Sequence, residues 1–371
     1  MRIGSPKEIK VHEYRVGLVP ASVAELTDAG HEVLIETGAG AGIGMEDAAY
    51  QEAGATIGPD AAAVFAGADL VVKVKEPQAV ERARLSSRHT LFTFLHLAPD
   101  PEQAADLIAS ESIAIAYESV VGPDGGLPLL APMSQVAGRM AIQAGAHSLE
   151  SESGGVGLLL GGVPGVPGAK VTVIGGGVVG RNAAEMAIGM GAEVTVLDRD
   201  ATVLESLEER WGPAVRTVFA TAASTEAAVI DADLVIGAVL VRGARAPKLV
   251  TAEMVKAIRA GSVIVDVAID QGGCVETARP TTHADPTYIV DGVVHYCVAN
   301  MPGAVPRTST KALNNATLPY LLALADEGPE AAMRADNGLR AGLTVHRGSI
   351  TEPAVAEALG RPYVDASEAL G

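Results

Sequence analysis

The sequence predicts an α/β protein built on two doubly wound parallel sheets. Short, nearly continuous Val/Ile/Leu runs recur along the chain, as strands buried on both faces require. Alanine-rich segments of helical character separate them, and such alternation implies parallel strands joined by right-handed crossovers. Hydrophobic residues make up 48% of the chain while aromatics are only 3%, which suits helices packed on sheets. At 371 residues the chain is long enough for two domains with separate cores.

In the first third, the runs Val33–Ile35, Leu70–Val74, Leu91–Leu95 and Ile113–Ala116 read as strands. Segments Ala21–Ala29, Asp60–Ala66 and Pro101–Ser110 read as helices, with Pro20, Pro59 and Pro101 where a first helical turn tolerates proline. Around Gly122–Pro132 the chain turns glycine- and proline-rich, a domain crossing. Ser134 is expected to cap a helix through SQVAGRMAIQAGAHSLE, and a glycine-rich connector, 154–168, follows. Beyond Asp198, apolar runs at Leu234–Leu240, Val263–Ile269 and Val293–Val298 complete a second sheet. Composition breaks again at Pro302–Pro306. Ser309 is expected to cap a last long helix that Pro319 kinks, and the tail after about Gly342 reads as less regular.

The stretch Lys170–Asp198 is the most specific. Gly175, Gly177 and Gly180 give G-x-G-x-x-G directly after the run VTVI and at the start of a helix; Asp198 closes the next run, EVTVL. Gly175 permits a tight turn, Gly177 admits a pyrophosphate close to the backbone, and Gly180 allows close helix–strand packing. The helix N-terminus supplies free N–H groups and a positive dipole end. Asp198 would hydrogen-bond the adenine ribose and repel a 2′-phosphate, which favours NAD over NADP. Arg199 beside it is a group able to accept that phosphate.

Lys plus Arg total 27 against 45 acids, a net charge of −18. That balance argues against wrapping nucleic acid or docking on anionic lipid. The N-terminus has no signal-peptide core, and the weakly charged stretch 154–170 is broken by Pro164, Pro167 and glycines, so no membrane span is expected. Cys274 and Cys297 give neither a disulfide framework nor metal-ligand spacing, and a cytoplasmic setting is the default.

Ligands in open parallel sheets sit outside the carboxyl ends of the strands. Arg15 follows the opening strand, Lys75 follows LVVKV, and His96 follows LFTFL; Asp270 and Asn300 end runs in the second domain. Each has a plain structural alternative: Arg15 paired with Glu13 or Glu8, Lys75 with Glu76, His96 simply hydrogen-bonded, Asp270 capping a turn. As a set they fit hydride-transfer chemistry on a small acid. A guanidinium clamps a carboxylate, an ammonium polarises a carbonyl, and a histidine exchanges protons.

At these residues the sequence resembles the alanine dehydrogenase and proton-translocating transhydrogenase family. The matching stretches include RIGSPKEIKVHEYRVGLVP, VVKVKEP, FTFLHLAPD, PLLAPMSQVAGRMA, IGGGVVG, VDVAIDQGGCVETARPTTH and YCVANMPGAVPRTST, and they cover nearly the whole chain. The resemblance implies oxidative deamination of L-alanine to pyruvate and ammonium with NAD, and the reverse amination. It implies a Rossmann NAD-binding domain, 129–306, inserted into a flavodoxin-like substrate domain, 1–128 and 307–371, with the two closing across a cleft. It places Arg15, Lys75 and Asn300 at substrate, and His96 and Asp270 as the catalytic pair. Ser134, Gly175, Gly177, Val178, Gly180, Asp198, Val239, Leu240, Val267, Ala268, Ile269, Asp270, Arg279, Val298, Ala299, Asn300 and Met301 match cofactor-contacting positions. A hexamer is implied. Val203 and Ala220 depart from the family near the adenosine, where Thr221 or Arg199 would substitute. Ala323 and Glu327 stand at a magnesium site proposed for some members, so no metal is expected here.

Two further readings stay open at this stage: the NAD(H)-binding component of a proton-translocating transhydrogenase, and another amino-acid dehydrogenase of related fold. The segment Met133–Ser134–Gln135–Val136 resembles the dehydrogenase version rather than the transhydrogenase one.

Overall fold

The computed structural model describes residues 1–239 and 246–371. It divides into two compact units, Met1–Met133 with Val305–Gly371, and Ser134–Ala304.

In the first unit, β1 (Arg2–Ser5), β2 (Glu32–Glu36), β3 (Thr56–Gly58), β4 (Leu70–Val72), β5 (Thr90–Thr93) and β6 (Ile113–Ala116) form a parallel array ordered β3-β2-β1-β4-β5-β6. With the three-residue edge strand β3 set aside, this is the flavodoxin-like order 2-1-3-4-5. Its switch point lies between β1 and β4. Strands β4, β5 and β6 are buried along their whole length, which explains why they are apolar apart from the buried threonines Thr90 and Thr93 that end β5. The connecting helices start where the sequence supplies a cap or a proline. Asp60 accepts the Ala63 N–H at 2.8 Å to open Ala61–Gly67; Asp100 accepts the Gln103 N–H at 3.0 Å to open Pro101–Ala109.

The second unit holds β7 (Lys170–Ile174), β8 (Glu193–Asp198), β9 (Val215–Phe219), β10 (Leu234–Gly237), β11 (Val263–Asp266), β12 (Thr287–Val290) and β13 (Val293–Tyr296). Their order is β12-β13-β11-β10-β7-β8-β9, all parallel except the antiparallel edge strand β12. Without β12 this is the Rossmann order 3-2-1-4-5-6, with its switch point between β7 and β10. The chain then returns to the first sheet, where β14 (Leu343–His346) pairs antiparallel with β6 and β15 (Ser349–Ile350) pairs with β14.

The structure corrects several details of the sequence reading. Ser134 and Ser309 are not caps: the helices are Ala131–Ser148 and Pro306–Glu327, so both serines lie inside them. Pro132 and Pro306 fall in the first turns, and a proline there costs no intrahelical hydrogen bond. Strand β11 stops at Asp266 rather than Ile269, because the Asp266 carboxylate accepts the Ala268 N–H at 3.1 Å and turns the chain into Val267–Gln271. The tail beyond Gly342 is regular enough to add two strands. Both cysteines are buried free thiols, and none of the described helices is long and apolar enough to cross a membrane.

Candidate active site

In the first unit, the segments leaving β1 and β4 diverge at the switch point and carry Arg15 and Lys75; the segment leaving β5 carries His96. The Arg15 guanidinium is buried and held bidentately by Glu13, Nε at 2.7 Å and Nη2 at 2.5 Å, while Nη1 donates to Met133 Sδ at 3.1 Å. The ion pair with Glu13 therefore exists, but as an internal brace rather than a surface pair. Lys75 is half-buried. Its carbonyl accepts the Thr93 hydroxyl at 2.9 Å, tying the β4 segment to the end of β5. Glu76 is half-buried rather than exposed and is hydrogen-bonded by Lys10. Burial works against the Glu76 carboxylate, yet Lys10 and the nearby charge of Lys75 hold it below its ordinary range. His96 is exposed and takes a left-handed backbone, φ +49°. Its ring lies flat on Phe94, with centroids 5.8 Å apart, and Phe94 packs edge-on against the buried Tyr117.

Beneath these side chains sits a buried ionic cluster that sequence reasoning missed. The Lys73 ammonium, fully buried, donates to Glu8 at 3.0 Å and Glu81 at 2.8 Å. Burial opposes that charge, but the two carboxylates overcome it and raise Lys73 above its ordinary value. Glu8 is pushed up in turn, by burial that Lys73 only partly offsets and by the charge of Glu81. The other Glu8 oxygen accepts the Val74 N–H at 2.6 Å and the Lys75 N–H at 3.3 Å. Glu8 thus joins the β1 segment to the backbone of Lys75. The two lysines of VVKVK are two positions apart, which on a strand would put them on one face; the strand ends at Val72, and Lys73 is buried while Lys75 is half-buried.

In the second unit, β7 runs into a glycine turn and the helix Val178–Gly189, whose N-cap is Gly177. Each glycine has a separate reason. Gly175 takes φ +99°, and a Cβ there would also lie 2.8 Å from the Ala238 carbonyl oxygen. A Cβ on Gly180 would overlap the Gly175 carbonyl oxygen, so the helix can approach the turn only without one. A Cβ on Gly177 would meet no protein atom within 4 Å. The space is kept clear in front of a helix N-terminus, which is where a pyrophosphate sits in such a turn. Val178 is exposed at the start of the helix, and Val239 borders Gly175. Leu240 lies outside the described residues. Asp198, at the tip of β8, accepts the Gly176 N–H at 2.7 Å and the Asp200 N–H at 2.9 Å. Ser134 is half-buried on the helix Ala131–Ser148.

Asp270 is exposed in the turn Val267–Gln271, with Ala268 and Ile269 buried beside it and Val267 half-buried. Asp266 organises that turn: buried, it accepts N–H groups of Ala268 and Val275, both at 3.1 Å, with the Cys274 thiol at 3.6 Å. Burial pushes its carboxyl above the ordinary range despite these donors. On the neighbouring segment, Val298 bridges to Thr281, and Ala299, Asn300 and Met301 lead into the turn Met301–Ala304. Asn300 is left-handed, φ +63°, and its carbonyl oxygen lies 3.1 Å from His283 Nε2. The Arg279 guanidinium stacks on Tyr288, 4.1 Å from the ring centre. Asp270 and Asn300 thus stand on adjacent segments, leaving the parallel neighbours β11 and β13.

A parallel sheet in Rossmann order, with the full glycine turn and an acid at the tip of its second strand, defines the second unit as a dinucleotide-binding domain. The chain belongs to the alanine dehydrogenase/PNT family: residues 4–137 match its N-terminal domain and residues 141–353 its C-terminal domain. It is similar over its full length to the alanine dehydrogenase of Halomonas elongata, 59% identical over 371 residues and covering all of both chains. A solved L-alanine dehydrogenase matches 97% of this chain and 99% of its own, at 52% identity and a TM-score of 0.94. A transhydrogenase from Sinorhizobium meliloti matches 95% of this chain and 100% of its own, at 25% identity and a TM-score of 0.82.

Proposed function

We propose that the protein is an NAD-dependent alanine dehydrogenase. It converts L-alanine, NAD⁺ and water to pyruvate, ammonium, NADH and a proton, and runs the reverse amination. The observation that carries this reading is the full-length likeness to alanine dehydrogenases at 52–59% identity, against 25% for the transhydrogenase.

The glycine turn fits the cofactor because the Gly177 position is clear of protein atoms at a helix N-terminus. Gly175, Gly177, Val178 and Gly180 hold the pyrophosphate, and Asp198 accepts hydrogen bonds from the adenine ribose while its charge disfavours a 2′-phosphate. Ser134, Val239, Leu240, Arg279, Val267–Asp270 and Val298–Met301 supply the remaining contacts. Held there, NAD would supply the acceptor for the hydride that leaves the substrate's α-carbon. Arg15 binds the substrate carboxylate through its Nη1 edge, where Met133 Sδ is a weak acceptor that a carboxylate replaces. The Glu13 brace keeps the guanidinium plane fixed meanwhile. Lys75 stabilises charge developing on the carbonyl oxygen of pyruvate. His96 takes the proton of the water that adds to the imine carbon, Asp270 handles the water and amine protons, and Asn300 binds the substrate. A homohexamer, supported by the family resemblance, and a cytoplasmic location, the default reading of two cysteines that form no disulfide framework, complete the reading; light scattering on the purified protein should return the mass of six chains.

The test is substrate-dependent NADH formation. L-alanine with NAD should give activity well above L-serine, glycine and L-lysine, and NADP should replace NAD poorly. Preference for another amino acid, or for exchange between two nicotinamides, would replace this reading.

A further inference from the structure

We propose that Glu118 is a positioning residue for His96, fixing with its carboxylate the left-handed turn that carries the imidazole. The proposal rests on the proton-handling role read above for His96. Strands β5 and β6 are parallel neighbours, so the segments leaving their carboxyl ends start side by side. Glu118 lies in the turn Tyr117–Ser119 that follows β6 directly. From there Oε1 accepts the His96 N–H at 2.6 Å, and both carboxylate oxygens stand 3.2 Å from the Leu95 N–H. Oε1 is also 3.7 Å from His96 Nδ1. Among the described residues, the hydrogen bonds of this carboxylate all go to Leu95 and His96.

The need for such a holder follows from the backbone. His96 has φ +49°, a region an L side chain enters only when its surroundings hold it there. Charge-assisted hydrogen bonds to two successive N–H groups supply that hold. On the other side, Gln103 Nε2 donates to the Leu95 carbonyl at 2.8 Å, so the same residue is anchored from both peptide groups. The turn that carries Glu118 also carries Tyr117, whose ring packs against Phe94, and Phe94 is the surface on which the His96 ring lies. One short turn after β6 thus fixes the histidine twice, through its backbone and through the ring beneath it.

Without the carboxylate the turn relaxes toward ordinary backbone and the imidazole moves with it. Displacing a reacting group by about 1 Å can cost about a hundredfold in rate. The experiment uses the full-length protein and the variants E118A, E118Q, H96A and E118A/H96A. It reads kcat and KM for L-alanine, NADH affinity by fluorescence, and melting temperature. E118A should lower kcat by about tenfold to a hundredfold and leave NADH affinity unchanged. E118Q keeps a carbonyl acceptor for both N–H groups and should recover most of the loss. In the H96A background, E118A should cost nothing further, because Glu118 acts through His96. Wild-type kcat in E118A would overturn the proposal, and so would a double variant that loses the full product of the two single effects. H96A with wild-type turnover would overturn the role read for His96 and the proposal with it. If E118A does not fold, Glu118→Asp, one methylene shorter, carries the same expectation, and wild-type kcat there would overturn it equally.

Discussion

Two alanine substitutions three residues apart in the glycine turn should fail in opposite ways. Gly177 has φ −67° and ψ −161°, extended backbone that alanine adopts freely, and an added Cβ meets no protein atom within 4 Å. Alanine is the poorer N-cap, but it also lowers the entropy of the unfolded chain by about 0.4–1 kcal/mol. These effects offset, so Gly177→Ala should leave stability within about 1 kcal/mol, roughly 2–4 °C in melting temperature. The same methyl fills the space read here as the pyrophosphate site, and NADH should bind at least tenfold more weakly, about 1.4 kcal/mol. Gly180→Ala puts its methyl on the Gly175 carbonyl oxygen, far inside the roughly 3.3 Å at which carbon meets such an oxygen. The turn is held against yielding by the Gly175 N–H bond to the Leu197 carbonyl, 2.7 Å, and the Ala238 N–H bond to the Ile174 carbonyl, 2.9 Å. Overpacking of this kind costs about 1–3 kcal/mol, so the melting temperature should fall by roughly 3–10 °C. Calorimetry and NADH fluorescence titration on both variants read the two effects separately. A Gly177→Ala protein that binds NADH like wild type, or that melts as early as Gly180→Ala, would refute this assignment.

Replacing Asp198 with Ala should weaken discrimination against NADP, read as the ratio of kcat/KM for the two cofactors; an unchanged ratio would remove its ribose role. A pH effect follows from His89. This residue is buried, its Nδ1 accepting the Ser86 N–H at 3.0 Å and its Nε2 facing the Phe65 carbonyl at 2.9 Å. Burial lowers its pKa below the ordinary 6.5, against the hydrogen bond to Phe65 that favours the charged form. Above about 6.5 neither folded nor unfolded chain is protonated there, and stability is full. As pH falls below that value the unfolded chain takes the proton first, so stability declines. Denaturant unfolding from pH 8 to pH 5 should show wild type losing more stability than His89→Gln; parallel curves would contradict the assignment.

The parts of this protein that the sequence made legible are those where one residue type has one physical use. The turn after β7 was readable because glycine alone fits at positions 175 and 180, and β4, β6 and the first three residues of β11 because strands buried on both faces run apolar. The strands that escaped notice lie at sheet edges or are very short. β9, VRTVF, and β12, TYIV, are partly exposed and carry polar residues, while β3 has three residues. Strand β14 is fully buried, but its four residues gain their meaning only from antiparallel pairing with β6, more than 200 positions earlier. At the site, Arg15, Lys75, His96 and Asp270 were visible because strand ends expose them. Of the carboxylates that hold them, Glu13 and Glu8 read only as alternative partners of Arg15, and Glu118 and Asp266 gave no signal. Their partners are mainly backbone N–H groups and buried cations, which leave no spacing signal in the chain. The misplaced caps have a similar origin, since a serine shortly after a proline looks like a helix start when the proline already is one.

The most direct measurement follows the α-hydrogen of the substrate. The purified protein is given L-alanine deuterated at the α-carbon together with NAD, and the reduced cofactor and pyruvate are analysed by mass spectrometry. The account predicts one deuterium in the reduced cofactor for each pyruvate formed, with ammonium released in equal amount. Reduced cofactor without the label, or no reduction until a second nicotinamide is added, would contradict it.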